Sequence, residues 1–240
     1  MPIIYHISQS FSRNFIEKLY NCGMILNLYK PYKLTSFNFI HKVQKMLEVE
    51  KIGHAGTLDP LATGVMIVLT DLDTKKQSEY TKKDKTYIAE IILGATSPSL
   101  DFETDVNFRP NPPAINLQDI EEVCRSIEGQ VIMPAPNFSA KSVAGSRLYE
   151  YAHNGQEAPV IPDVESQIYE CKLLNLLHFW HQGKMYPMIE VEISCSSGTY
   201  IRSITKLISK KLGTEGVLYY LLRTRVGDFS LLDSINILEN

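Results

Sequence analysis

The chain has 240 residues, 44% of them hydrophobic and 21% charged, with a formal net charge of −3. That balance describes a globular protein with one large domain, or a large domain and a small satellite, and excludes extensive disorder. The four cysteines form no CxxC pair, which argues against a zinc site and a disulfide framework, and no apolar run approaches a membrane span, so reduced thiols in a cytoplasmic protein are the expectation.

Residues 1–23 place Phe11, Phe15, Ile16, Leu19 and Tyr20 at helical spacing, which predicts a short amphipathic helix in an N-terminal extension. Ile25 to Leu28 reads as a strand ended by Lys30-Pro31. Thr35 or Ser36 then caps a helix with Phe39, Ile40, Val43, Met46 and Leu47 on its apolar face. The stretch from Gly53 to Gly64 follows, with dense glycines, one histidine and one carboxylate. Asp59-Pro60 predicts a helix N-cap with proline at the first helical position, a single turn stopped by Gly64. Val65 to Leu69 is short and apolar enough to be a buried strand. The stiff turn therefore presents one carboxylate beside the core.

A lysine-rich connection leads to a strand at Thr86 to Leu93, and the proline- and acid-rich residues 97–116 predict an exposed loop. Leu117 to Glu128 is a helix capped by Asn116 and stopped by Gly129. A loop at 134–141 precedes a helical turn at Arg147 to Ala152. Gln167 to Phe179 reads as a strand, and Met188 to Cys195 alternates, with Ile189, Val191, Ile193 and Cys195 on one face. Ser197-Gly198-Thr199 predicts a turn and helix cap, and Ile204, Leu207, Ile208 and Leu212 line the helix up to Gly213. The elements mix without βαβ regularity, which predicts an α+β fold with a mixed, mainly antiparallel central sheet flanked by helices and loops. Charge is uneven. Arg202, Lys206, Lys210, Lys211, Arg223 and Arg225 face only Glu215 between Tyr200 and Val226, a pattern read either as a phosphate-binding face or as solvated surface.

The stretch Gly53-His54-Ala55-Gly56-Thr57-Leu58-Asp59-Pro60-Leu61-Ala62-Thr63-Gly64-Val65 resembles the signature of the TruB family of tRNA pseudouridine synthases. Tyr29-Lys30-Pro31 with Thr35-Ser36, Lys85-Thr86-Tyr87, Arg147 to Ala152, Gly198-Thr199-Tyr200-Ile201-Arg202, and Leu221 through Gly227-Asp228-Phe229 agree with it in order. The resemblance spans residues 24–230 and implies isomerisation of uridine 55 in the T loop of tRNA. The N1 glycosidic bond breaks and is remade to C5, with no cofactor and no metal. The implied catalyst is Asp59, which would attack C6 of the ring or C1′ of the ribose, or take a sugar proton. Without the resemblance, Asp59 reads as a helix cap.

By the same resemblance, Arg202 pairs with the catalytic aspartate, Tyr87 stacks on the target base, and Tyr200 and Leu221 line the pocket. His54 enters the RNA to displace the base, and Lys30 braces the Asp59 loop. Three departures stand out. Ser139-Ala140-Lys141-Ser142 displaces a lysine, Leu221-Leu222-Arg223-Thr224 has one arginine fewer, and no C-terminal RNA-binding domain of PUA type is expected beyond a catalytic domain at 24–240. Weaker tRNA binding by a cytoplasmic monomer is the consequence expected. The rival readings are a non-catalytic tRNA-binding or folding module, and the same chemistry on another structured RNA.

Overall fold

The computed structural model describes residues 23–139 and 141–238, so the helix expected at residues 11–20 lies outside the described residues. In chain order come β1 (Ile25–Lys30), α1 (Ser36–Leu47), β2 (Ile52–Ala55), β3 (Thr63–Thr70), a 3-10 turn (Asp71–Lys76), α2 (Gln77–Thr81) and β4 (Lys85–Leu93). They are followed by β5 (Ala95–Thr96), β6 (Asn107–Phe108), α3 (Leu117–Ser126), β7 (Gly129–Pro134), β8 (Ser142–Val143), β9 (Ser146–Arg147) and α4 (Leu148–His153). The rest is β10 (Asp163–His181), β11 (Lys184–Cys195), α5 (Ile201–Lys211), β12 (Gly216–Val226), β13 (Phe229–Ser230) and a second 3-10 turn (Leu231–Asp233). Mixed sheet with a few helices makes the fold α+β, as the irregular order of elements predicts.

The described residues fall into two compact units, one running to Tyr87 and resuming at Leu222, the other from Ile88 to Leu221. In the first, β3 is buried along its whole length and is flanked by β1 and β2, both antiparallel to it. Burial of both faces explains why it reads as a continuous apolar run rather than an alternation. Its N-terminal end pairs in parallel with β12, Thr63 opposite Leu222 and Gly64 opposite Arg223. Ile25, Ala55, Val65, Ile67, Leu69, Tyr80 and Val226 form the core there. Thr35 caps α1 by accepting from the Asn38 amide, which leaves Ser36 free for another task.

The second unit is built on the antiparallel pair β10 and β11, joined by a two-residue turn in which Gln182 and Gly183 both have positive φ. That is the turn whose twist suits a tight hairpin. The alternation predicted for Met188 to Cys195 holds, with Ile189, Val191, Ile193 and Cys195 fully buried. Asn116 caps α3 through the Asp119 amide, as expected. Residues 97–116 are not simply an exposed loop: Ser97, Ser99 and Asp101 are buried, and Ser97 Oγ donates to the Asp101 carbonyl at 2.6 Å. Proline and acid content misleads here because serine hydroxyls satisfy the backbone that a buried loop must otherwise leave unpaired. Before α5, Thr199 Oγ1 donates back to the Ser196 carbonyl instead of capping the helix, and Tyr200 occupies the cap position without a side-chain bond.

Candidate active site

The Asp59 stretch leaves β2 at Ala55 and joins β3 at Thr63. The single helical turn expected at Asp59-Pro60 does not form. Instead the Ala62 amide donates to the Asp59 carbonyl at 3.0 Å, closing a four-residue turn. Aspartate at the first position and proline at the second favour such a turn as strongly as they favour a helix start, and Gly64 then continues as strand. Gly64 is also where the local glycine density has its clearest cause. Its φ is +107°, and a Cβ there would lie 2.3 Å from the Arg223 carbonyl oxygen and 2.8 Å from its nitrogen. The close approach it permits is to the β12 backbone.

Three side chains of the first unit hold this loop from different directions. Ser36 Oγ donates to the Leu58 carbonyl and accepts from the Leu58 amide. Lys30 is fully buried, and its Nζ donates to the carbonyls of Pro31 at 2.9 Å, Leu34 at 2.6 Å and Pro60 at 3.4 Å. Arg223 is also buried; its Nε donates to the Val65 carbonyl at 2.7 Å and an Nη to the Gly56 carbonyl at 3.1 Å. Asp59 itself is half-buried.

The charges around the loop are tuned by burial. Desolvation brings the Lys30 ammonium down to about 8, against the opposing pull of Asp59 and with a smaller push from Arg223. His54, on β2 opposite Val68, is held below the ordinary histidine range by burial and then by Arg223, with the Gly56 backbone opposing. At neutral pH it is an uncharged ring on a strand. Tyr87 is buried in β4. Lys85, two residues before it, is buried too, and its Nζ donates to the Thr81 carbonyl at 2.6 Å and to the Lys83 carbonyl.

In the second unit, Arg202 on α5 is 2% exposed. Its guanidinium donates to the carbonyls of Ser99 at 3.1 Å and Phe138 at 2.9 Å, and its Nε lies 3.7 Å from Asp101 Oδ2. Tyr200 is half-buried and Leu221 buried. The structure thus gathers Lys30, His54 and Asp59 in the unit that also holds Tyr87, and places Tyr200, Arg202 and Leu221 in the other. Sequence reasoning passed over Ser36 as a loop brace, Asp101 as an acid buried beside Arg202, and Arg223 as a buried group, reading it as part of a basic face and of the Leu221-Leu222-Arg223-Thr224 motif. Arg202 and Arg223 are buried, so the exposed cations of that segment are Lys206, Lys210, Lys211 and Arg225. A fully buried arginine among surface lysines has no signature in charge counting. Among the described residues, no cluster of three or more His, Cys, Asp or Glu side chains could hold a metal ion, and no helix is long and apolar enough to cross a membrane.

Comparison with known proteins supplies what geometry cannot. Residues 44–201 match the family described as TruB family pseudouridylate synthase, N-terminal domain. The tRNA pseudouridine synthase B of Parabacteroides distasonis is 39% identical over 219 residues, covering 87% of this chain and 88% of that protein. The protein of the same name from Caldicellulosiruptor saccharolyticus is 38% identical over 226 residues, covering 90% and 75%. Among solved structures, a chain of a Cbf5-Nop10-Gar1 complex superposes with a TM-score of 0.66 at 25% identity. The alignment covers 90% of this chain but 52% of that one, so this chain spans about half its length.

Proposed function

The chain belongs to the TruB family and is an RNA pseudouridine synthase; from that premise we propose that it isomerises uridine 55 in the T loop of tRNA, with Asp59 as the reacting carboxylate. The observation that carries the choice of residue is the bracing of its loop. Ser36 and Lys30 hold the residues on either side of Asp59, Leu58 and Pro60, so the carboxylate is presented from a backbone that has little freedom. Preorganisation of this kind is what a nucleophile or base requires, because misplacement by about 1 Å costs on the order of a hundredfold in rate. The tRNA substrate follows from relatives named tRNA pseudouridine synthase B.

In the proposed reaction the C1′–N1 bond of the target uridine breaks, the freed uracil turns, and C1′ bonds to C5. The C5 proton is lost, and N1 ends carrying a proton. His54 takes the place left by the extruded base; as a neutral ring it enters a stack without the cost of desolvating a charge. The family resemblance is what assigns Tyr87 to stacking on the base, Tyr200 and Leu221 to lining its pocket and Arg202 to the catalytic aspartate. Lys30 supports the loop and takes no part in bond making.

Release of tritium from C5-labelled uridine in a T-arm transcript tests the reading. Wild type should release one tritium per modified uridine, while Asp59→Ala and Asp59→Asn should bind the transcript and release none above background. Undiminished release by Asp59→Ala would sink the assignment of Asp59. Equal release from bulk RNA lacking a T arm would replace the tRNA substrate with structured RNA in general.

A further inference from the structure

We propose that Arg223 is a positioning residue for this reaction: its buried guanidinium clamps the two ends of the loop that carries Asp59 and so fixes where the carboxylate stands. The inference rests on Asp59 being the reacting group. Its Nε bond to the Val65 carbonyl ties the end of the loop where β3 begins, and its Nη bond to the Gly56 carbonyl ties the end where β2 stops. The two acceptors bracket residues 57–64, with Asp59 among them.

The clamp is itself anchored. Arg223 pairs with Gly64 in the parallel register of β12 and β3, and the backbones meet so closely that a Cβ on Gly64 would collide with the Arg223 carbonyl. The residue that ties the loop is therefore fixed to the strand into which the loop runs. Two separate carbonyls, one just past the end of β2 and one within β3, demand a rigid planar fork, which guanidinium provides and an ammonium does not.

Stability alone is a poor account of this arginine. Its hydrogen bonds go to neutral carbonyls, and the charged groups that sense it include two further cations or potential cations. Lys30 and His54 both respond to its charge, and Lys85 lies beside the same Gly56, its Cε 3.8 Å from where a Cβ would stand. Burying a cation among such neighbours carries a desolvation penalty, and a packed apolar side chain of similar volume often serves stability equally well or better. What an apolar side chain cannot do is hold both ends of the loop.

Arg223→Lys keeps the charge and loses the fork, Arg223→Gln keeps polarity in a shorter reach, and Arg223→Met keeps the volume alone. Each is measured for single-turnover tritium release at saturating T-arm RNA, for RNA affinity, and for hydrogen exchange at the Ala62 amide, whose bond to Asp59 closes the turn. For folded protein the rate should fall by about tenfold to a hundredfold, with affinity within about twofold of wild type. Ala62 exchange should accelerate while amides of β10 and β11 stay protected. Lysine should rescue neither the rate nor the protection. A Lys or Gln variant with the wild-type rate per folded molecule and an unchanged Ala62 amide overturns the clamp, and a merely structural arginine would lower the melting temperature alone. The exchange arm needs no activity. A wild type inactive on the T arm would therefore count against the proposed function and leave Ala62 to judge the clamp.

Discussion

The hydroxyl of Ser36 lies 2.7 Å from the carbonyl oxygen of Leu58 and 2.9 Å from its amide nitrogen, so one side chain satisfies both backbone polar groups of the residue before Asp59. Ser36 opens α1 but does not cap it; Thr35 does. The chain therefore divides a Thr-Ser pair between two tasks, capping the start of a helix with the first residue and anchoring a loop with the second. Because both Ser36 and Leu58 are buried, water cannot replace either bond.

Ser36→Ala should therefore cost more than an ordinary surface hydroxyl. Two buried backbone groups lose their partner at once, and about 1–3 kcal/mol of stability should go with them. The larger consequence is positional. With Leu58 released, tritium release at saturating RNA should slow while RNA affinity is kept. Urea denaturation measures the first effect and single-turnover kinetics the second; a destabilised variant with an unchanged rate would show that the loop keeps its shape without this anchor.

Asp101 offers a sharper test of burial. Its Oδ2 stands 3.7 Å from Arg202 Nε, and both side chains are almost wholly out of water. Its other oxygen accepts from the Glu103 amide at 2.9 Å, so the carboxylate also shapes its own turn. Asp101→Ala removes the charge beside a buried guanidinium and should destabilise by about 3–5 kcal/mol. Asp101→Asn keeps the shape and part of the hydrogen bonding and should cost less. Chemical denaturation of the two variants side by side decides it, and equal small losses would mean that the carbonyls of Ser99 and Phe138 suffice for Arg202.

Much of the fold is written in local pattern. The apolar run at β3, the alternation of β11, and the caps at Thr35 and Asn116 each follow from periodicity or from one side chain meeting one amide. The failures share a different origin. Asp59-Pro60 begins either a helix or a hydrogen-bonded turn, and the contacts that go with the turn, the pairing of Gly64 with Arg223 among them, lie far away in sequence. Arg223 and Arg202 look like surface cations because charge counting is blind to burial. Residues 97–116 look like a surface loop because the serines that satisfy their backbone are, in sequence, ordinary loop residues. The motif marks the place of the site, whereas the braces that hold it come from long-range contacts.

Gly64→Ala tests that long-range choice directly. Alanine would have to adopt a φ of +107° and place its Cβ 2.3 Å from the Arg223 carbonyl oxygen, a backbone atom that cannot swing aside. The start of β3 and the end of β12 must separate, and the cost should exceed the ~1 kcal/mol typical of point substitutions several-fold. Hydrogen exchange at residues 63–66 and 222–224 should rise together, because the two strands share the pairing. Exchange confined to residues 63–66 would contradict the shared pairing.

Lys30 gives the fold a pH dependence whose sign can be worked out. In the folded protein its ammonium titrates at about 8, below the ordinary 10.5, chiefly because burial disfavours the charge. Between those values the unfolded chain binds a proton that the folded chain has released, so this residue's contribution to stability rises with pH through the window. Below about pH 8 the cost of holding the buried ammonium is present in full. Lys30→Met removes the titration and keeps the stem. The stability difference between wild type and Lys30→Met should therefore shift towards wild type by about 2 kcal/mol from about pH 7.5 to about pH 9.5. Asp59 and Arg223 both act on Lys30 with opposite signs, so Asp59→Asn should move the onset of the rise to lower pH and Arg223→Gln to higher pH. Denaturation midpoints across the range provide the measurement, and a difference that stays level with pH would show that Lys30 keeps its proton throughout.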